Sequence, residues 1–187
     1  KALADKFGIE YRIVDFQDRF KEKVQDYFVN EYLAGRTPNP CTVCNRHVKL
    51  EALLSVADEV GVDYVATGHY ARIIKLDNGR YTIMKTPTAQ KEQTYALFRL
   101  SQEQLARIMM PVGEYTKDEI RNIARDMGID VADKPDSQEI CFIPDNDYAG
   151  FIGRYTGREC EPGNFVDTEG KIIGRHKGII HYTVGQR

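Results

Sequence analysis

Gly61-Val62-Asp63-Tyr64-Val65-Ala66-Thr67-Gly68-His69 is the stretch on which the fold turns. Val62 to Thr67 is short, mostly apolar and bounded by glycines, as befits a strand buried within a parallel sheet. Upstream, a helix opening near Thr42, a plausible N-cap, carries Leu50, Leu53, Leu54 and Ala57 inward until Gly61 stops it. Before that, Ile9 to Phe16 reads as a strand. It leads into a helix with Phe20, Val24, Tyr27 and Phe28 on one face, ended by Gly35. Helix, strand, helix, strand in that order predicts an α/β domain. Such sheets bind ligands beyond the carboxyl ends of their strands, so topology alone nominates Gly68 and His69.

Downstream, Tyr70–Leu76 and Arg80–Thr86 flank Asp77-Asn78-Gly79, a hairpin signal. A polar loop over Pro87–Gln93 precedes helices expected at Thr94–Arg99 and Ser101–Met109. Thr116-Lys117-Asp118-Glu119 is a capping box that opens a helix, with Ile120, Ile123, Ala124 and Met127 on one face and Gly128 at its end. Residues 133–139 read as a loop and Ile140–Ile143 as a strand. From about Tyr148 the character changes. A short helix over Asp147–Tyr155 gives way to three glycine-punctuated runs, 163–166, 171–174 and 179–184, which read as strands of a second, smaller unit. The expected domains are residues 1–147 and 148–187.

The balance of 42% hydrophobic and 29% charged residues is that of a globular chain, neither disordered nor membrane-embedded. No apolar run approaches the roughly 20 residues that span a bilayer. Four cysteines without regular spacing suit a reducing compartment, so a cytoplasmic location is expected. A net charge of −2 argues against sequence-blind nucleic-acid binding. Yet Arg36, Arg46 and Lys49 stand in an acid-free stretch, as do Lys171, Arg175, Lys177 and Arg187. Two such stretches are either solvated basic surfaces or chosen points of contact with a phosphate backbone. The opening residues read as a helix already under way and the close as an unfinished element, so a piece of a longer protein is expected.

Two cysteines sit in distinctive loops. Cys44 follows Gly35-Arg36-Thr37-Pro38-Asn39-Pro40-Cys41-Thr42-Val43, where the prolines predict a stiff, exposed, non-helical segment. In the first turn of the helix beyond, with Arg46 nearby, Cys44 is either a buried apolar cysteine or a reactive thiol whose pKa the helix end and the cation lower. Cys141 follows the polar run Lys134-Pro135-Asp136-Ser137-Gln138-Glu139-Ile140, and it either faces a core or offers a reactive sulfur at a strand start. Cys41 and Cys44 also form a C-x-x-C, half a zinc site, but Cys141 and Cys160 supply no second close pair, so no metal is assigned. Cys160 carries no signal. His69 is either a satisfied structural histidine or a site residue beside a glycine that admits a ligand. By composition Lys91-Glu92-Gln93 is a solvated loop.

Taken in order, Gly35–Pro40 with Cys44-Asn45, Thr67-Gly68-His69-Tyr70-Ala71-Arg72, Lys134–Gln138 with Cys141-Phe142-Ile143, and Gly178–Arg187 closely resemble the bacterial-type tRNA 2-thiouridylases. The resemblance runs through essentially the whole chain. It implies a Rossmann-like PP-loop ATP-pyrophosphatase domain followed by the start of a small, mostly-β central domain. It further implies ATP- and magnesium-dependent transfer of persulfide sulfur to the 2-position of the wobble uridine of tRNA, with a sulfur-relay protein or cysteine desulfurase as donor. By this likeness Cys141 carries the persulfide. Cys44 is the second catalytic cysteine, which attacks it and forms a Cys44–Cys141 disulfide as sulfur is delivered. Gly68 matches an ATP-contacting position. Asn39, Pro40 and Cys41 match the loop on the target base, where some relatives carry Asp in place of Cys41. His69, Lys91, Glu92 and Gln93 match tRNA-contacting positions, Glu92 standing where the family has Asp.

The family's Ser-Gly-Gly-x-Asp-Ser nucleotide loop does not occur in the sequence. The expectation is a PP-loop domain without that unit, and a chain inactive by itself. Two other readings remain: a PP-loop enzyme thiolating another tRNA base, and a zinc-stabilised RNA-binding module without catalysis.

Overall fold

The structure, a computed structural model, describes residues 1–87, 92–129 and 139–186. Helices α1 (Ala2–Phe7) and α2 (Gln17–Phe20) are followed by a π-helical segment, Lys21–Gln25, and by α3 (Asp26–Leu33). Next come α4 (Pro40–Cys44), a second π-helical segment, Asn45–Leu50, and α5 (Glu51–Val60). Strand β1 (Val65–Ala66), the strands β2 (Arg72–Lys75) and β3 (Tyr81–Met84), a 3-10 turn at Thr94–Ala96, α6 (Gln102–Arg107) and β4 (Ile108–Met109) succeed them. A 3-10 turn at Pro111–Glu114 leads to α7 (Lys117–Asp126), then α8 (Tyr148–Thr156), β5 (Gly163–Val166), β6 (Ile172–His176) and a 3-10 turn at Ile179–His181. These elements form two compact units: Lys1–Phe20 with Thr42–Asp136, and Lys21–Cys41 with Ser137–Arg187.

The first unit is built around β1. Gly61 takes the left-handed conformation at φ 73° and ends α5 as its pattern predicts, its N–H and that of Val62 returning to Asp58 and Ala57 carbonyls. Arg107 pins the turn that follows, donating to the carbonyls of Asp63 (2.9 Å) and Val62 (3.2 Å). β1 pairs in parallel with β4, Val65 opposite Ile108 and Ala66 opposite Met109. The contact continues past the strand end, where the Thr67 N–H donates to the Met109 carbonyl at 2.9 Å. Leu50 and Leu54 pack behind this pair with Ala71, Leu97, Ile108 and Met110. The strand expected over 62–67 is thus shorter, with Val62 and Tyr64 exposed. β4 was hidden inside an expected helix, because two residues of parallel pairing are too few to leave a periodic mark.

The hairpin forms as its Asn78-Gly79 turn predicts, with Ile73 opposite Ile83 and Gly79 at φ 80°. So does the capping box on α7: Glu119 N–H donates to Thr116 Oγ1 at 3.1 Å, and Thr116 N–H to Glu119 Oε2 at 2.7 Å. Other expectations fail here. Ile9–Phe16 forms no strand. It pairs with no strand among the described residues, and Ile13 is 84% exposed, so nothing takes up the ladder hydrogen bonds a strand requires. The apolar face of α7 also stays open, with Ile123 and Met127 exposed.

The second unit packs α3 against α8. Phe28, Val29 and Tyr32 form its core with Ile143, Ile152 and Ile180. Around the fully buried Phe28 lie the rings of Tyr32 (4.9 Å between centroids), Phe142 (5.5 Å), Tyr148 (6.0 Å) and Phe151 (6.0 Å). β5 and β6 pair antiparallel, as expected, with an irregularity between Phe165 and Val166. The third run, 179–184, forms a 3-10 turn at Ile179–His181 rather than a strand, since Ile180 is drawn into the core. Ile140–Ile143 is likewise a turn, closed by Ile143 N–H to the Ile140 carbonyl at 2.9 Å. The loop assigned to 133–139 lies outside the described residues except for Glu139. No helix among the described residues is long and apolar enough to cross a membrane.

Candidate functional site

The segment bearing Cys44 departs from expectation in an instructive way. The helix opens at Pro40, not Thr42. Proline suits a first helical position because its φ is already helical and its missing N–H would have had no partner. Pro40 and Thr42 are buried, whereas Asn39 and Cys41 are exposed. Cys44 is therefore the fifth residue of α4, a turn beyond the helix start, and half-buried. The field of the helix terminus fades within its first turn, so it acts on Cys41 more than on Cys44.

The next residue, Asn45, is only 3% exposed. A buried carboxamide must find partners, and this one finds two. Its Nδ2 donates to the Ala96 carbonyl at 3.3 Å, and its Oδ1 lies 3.1 Å from Nε2 of His69. The other ring nitrogen, Nδ1, is 2.9 Å from the Thr67 hydroxyl. The ring is held neutral: burial, with Lys49 second, lowers the His69 pKa to about 4. Gln93 fastens the next residue from both sides, its N–H donating to the Tyr70 carbonyl at 3.1 Å and its Oε1 accepting from the Tyr70 N–H at 2.9 Å.

Of these groups Thr67, His69, Lys49 and Gln93 line a cavity of about 440 Å³ at the carboxyl end of β1, together with Leu53 and Gly68. A Cβ placed on Gly68 would meet nothing within 4 Å, so the backbone there is open to an approaching molecule. Gly68, His69 and Gln93 were nominated from sequence, and the structure brings them together. Glu92 is engaged locally: its carboxylate accepts from the Thr94 N–H at 2.7 Å. Burial raises its pKa, but hydrogen bonds from Thr94 and the nearby Lys85 bring it below the usual value. Lys91 lies outside the described residues. Asn45, Lys49 and Thr67 were not assigned roles from sequence. The available signal was a polar Asn45 among the inward-facing Val43, Val48 and Leu50.

The second unit holds other sequence-singled residues. Arg36 forms a bidentate pair with Glu31, 2.7 and 2.6 Å. Thr37 Oγ1 accepts from the Val184 N–H at 2.9 Å, joining the Arg36–Pro40 loop to the Gly178–Gln186 run, 147 residues apart. Cys141 sits exposed in its turn, not in a strand, and Phe142 and Ile143, the two residues that follow it, anchor the turn to Phe28. Cys44 and Cys141 belong to different units. All four cysteines are thiols. Among the described residues no three His, Cys, Asp or Glu side chains are grouped to hold a metal ion.

Comparison with known proteins adds to this geometry. Residues 1–145 match the family model described as a tRNA methyl transferase HUP domain, and residues 149–187 the one described as a tRNA methyl transferase PRC-barrel domain. The "tRNA-specific 2-thiouridylase MnmA" of Lachnoclostridium phytofermentans is 61% identical over 187 residues, all of this chain and 52% of that protein. Proteins of the same name from Clostridium acetobutylicum and Clostridioides difficile are 54% and 52% identical, again over the whole chain and 52% of their own length. The chain spans about half the length of the curated relatives it matches.

Proposed function

Because the chain belongs to the family whose models are described as the tRNA methyl transferase HUP and PRC-barrel domains, we propose that it serves an ATP-dependent tRNA 2-thiouridylase. The family description speaks of methyl transfer and the relatives' names of thiolation. The observation that favours sulfur is Cys141, an exposed thiol in a turn whose neighbours, not itself, do the packing. A structural cysteine would be buried.

In this reading a sulfur-relay protein or cysteine desulfurase leaves a persulfide on Cys141. The Cys44 thiolate attacks Cys141 Sγ, the persulfide bond breaks, and the terminal sulfur leaves with the bonding electron pair. That sulfur replaces the oxygen at the 2-position of the uracil, and Cys44 and Cys141 end joined by a disulfide that a thiol reductant must reopen. ATP with magnesium would supply the activation of the departing oxygen, and the open backbone at Gly68 with the Lys49 cation fits part of a nucleotide. Asn39, Pro40 and Cys41 would meet the target base, and His69, Lys91, Glu92 and Gln93 the tRNA. The catalytic and central domains would divide at 147/148, and the protein would work in the cytoplasm.

The test is mass spectrometry of the full-length protein after exposure to a cysteine desulfurase and cysteine. One labile sulfur should appear on Cys141 and vanish in Cys141→Ser. Cys44→Ser should accept that sulfur yet form no 2-thiouridine in tRNA. Thiolation that survives Cys141→Ser would end the proposal.

A further inference from the structure

Ala96 offers a backbone carbonyl to Asn45, and a carbonyl can only accept. That one fact orders a chain of four groups. Asn45 must present Nδ2 to Ala96, so it presents Oδ1 to His69. Oδ1 can only accept, so His69 must carry its proton on Nε2. Nδ1 is then a bare lone pair, and the Thr67 hydroxyl must donate into it. Every proton in the relay runs one way: Thr67 to His69, His69 to Asn45, Asn45 to Ala96.

We propose that Asn45 is the positioning residue of this cavity, holding His69 as the neutral tautomer protonated on Nε2 with both ring nitrogens engaged. The consequence is chemical. A ligand entering the cavity meets a neutral imidazole with no spare N–H and no spare lone pair, so His69 offers ring carbon surface and not acid–base chemistry. Among the described residues that line the cavity the charged one is Lys49, and an anionic ligand is met there. Asn45 also follows Cys44 directly, so the same carboxamide fixes the rotation of the helical segment that carries the thiol. A low His69 pKa accords with this: burial and the Lys49 cation disfavour the imidazolium, which would also have to donate from Nδ1 and turn the Thr67 hydroxyl from donor to acceptor.

The experiment is long-range proton–nitrogen NMR of the labelled 187-residue chain from about pH 4 to about pH 8, a range that includes the ordinary imidazole value of about 6.5. It is read without substrate, so it and the persulfide test can fail independently. In the unaltered chain His69 should show one tautomer, protonated on Nε2, titrating near 4. Asn45→Asp keeps the acceptor and adds a negative charge beside the ring, so the midpoint should rise by roughly one unit or more. Asn45→Ala should leave a mixture of tautomers. A His69 protonated on Nδ1 in the unaltered chain would overturn the proposal whether or not the variants fold. So would a midpoint that Asn45→Asp does not move, or a single Nε2 tautomer that persists in Asn45→Ala.

Discussion

The Tyr155 hydroxyl donates to Asp26 Oδ1 at 2.7 Å across 129 residues of sequence. This bond, with Lys21 over the Tyr155 ring at 5.5 Å, ties the helical stretch of residues 21–33 to α8 within the second unit. Burial first, and the Asp26 carboxylate second, raise the Tyr155 pKa. Tyr155→Phe should cost about 1 kcal/mol, and Asp26→Asn a similar amount, with less than the sum in the double variant. Because the folded-state pKa is raised, this contribution is complete below the unfolded tyrosine value of about 10 and is lost as pH rises through the folded one. Urea titrations at neutral and alkaline pH would show it: equal losses at both would mean the bond does not titrate.

Phe28 should be the most costly position in the second unit. It is fully buried and makes ring contacts with Tyr32, Phe142, Tyr148 and Phe151. Phe28→Ala should destabilise by about 3–5 kcal/mol, and Phe28→Leu by much less. Hydrogen exchange should show the loss in α3, α8 and the Cys141 turn. Unchanged protection of residues 139–144 would mean that Phe142 and Ile143 do not anchor that turn.

Two glycines should differ in their response to one added methyl group. A Cβ on Gly113 would overlap the Ala71 carbonyl oxygen, which is backbone and cannot swing aside. Gly113→Ala should cost about 2 kcal/mol or more. Gly68 has open space, so Gly68→Ala should change stability by no more than about 0.5 kcal/mol. Thermal melts of the two variants decide it, and equal shifts would contradict the close approach of the Pro111–Glu114 turn to Ala71.

His69 makes the first unit acid-sensitive. Its pKa falls from the ordinary 6.5 to about 4 on folding. Between those values the unfolded chain binds the extra proton, so the stabilisation is present above about 6.5 and drains away as pH falls towards 4. His69→Gln cannot titrate there and should flatten that part of the stability profile. A slope unchanged by the substitution would place the acid sensitivity elsewhere.

Much of the local structure was legible because its causes are local. Asn78-Gly79 can make a hairpin turn, Thr116 and Glu119 can satisfy each other's backbone donors, and Gly61 can turn left-handed, wherever they occur in a chain. Expectations failed where a partner had to arrive from afar. Ile9–Phe16 has strand composition but needs a neighbour. Ile108–Met109 looks helical until β1 lies beside it. Ile140–Ile143 curls because Ile143 belongs under Phe28.

Sequence alone was enough to mark Cys44, Cys141, Gly68 and His69, since a residue's chemistry travels with its side chain. It could not show that Asn45, a neighbour of one marked cysteine, grips His69 from 24 positions away, nor that Thr37 receives Val184. Those pairings exist only after burial has stripped polar groups of water and left them to find each other, a condition imposed by the folded chain and by no segment of it.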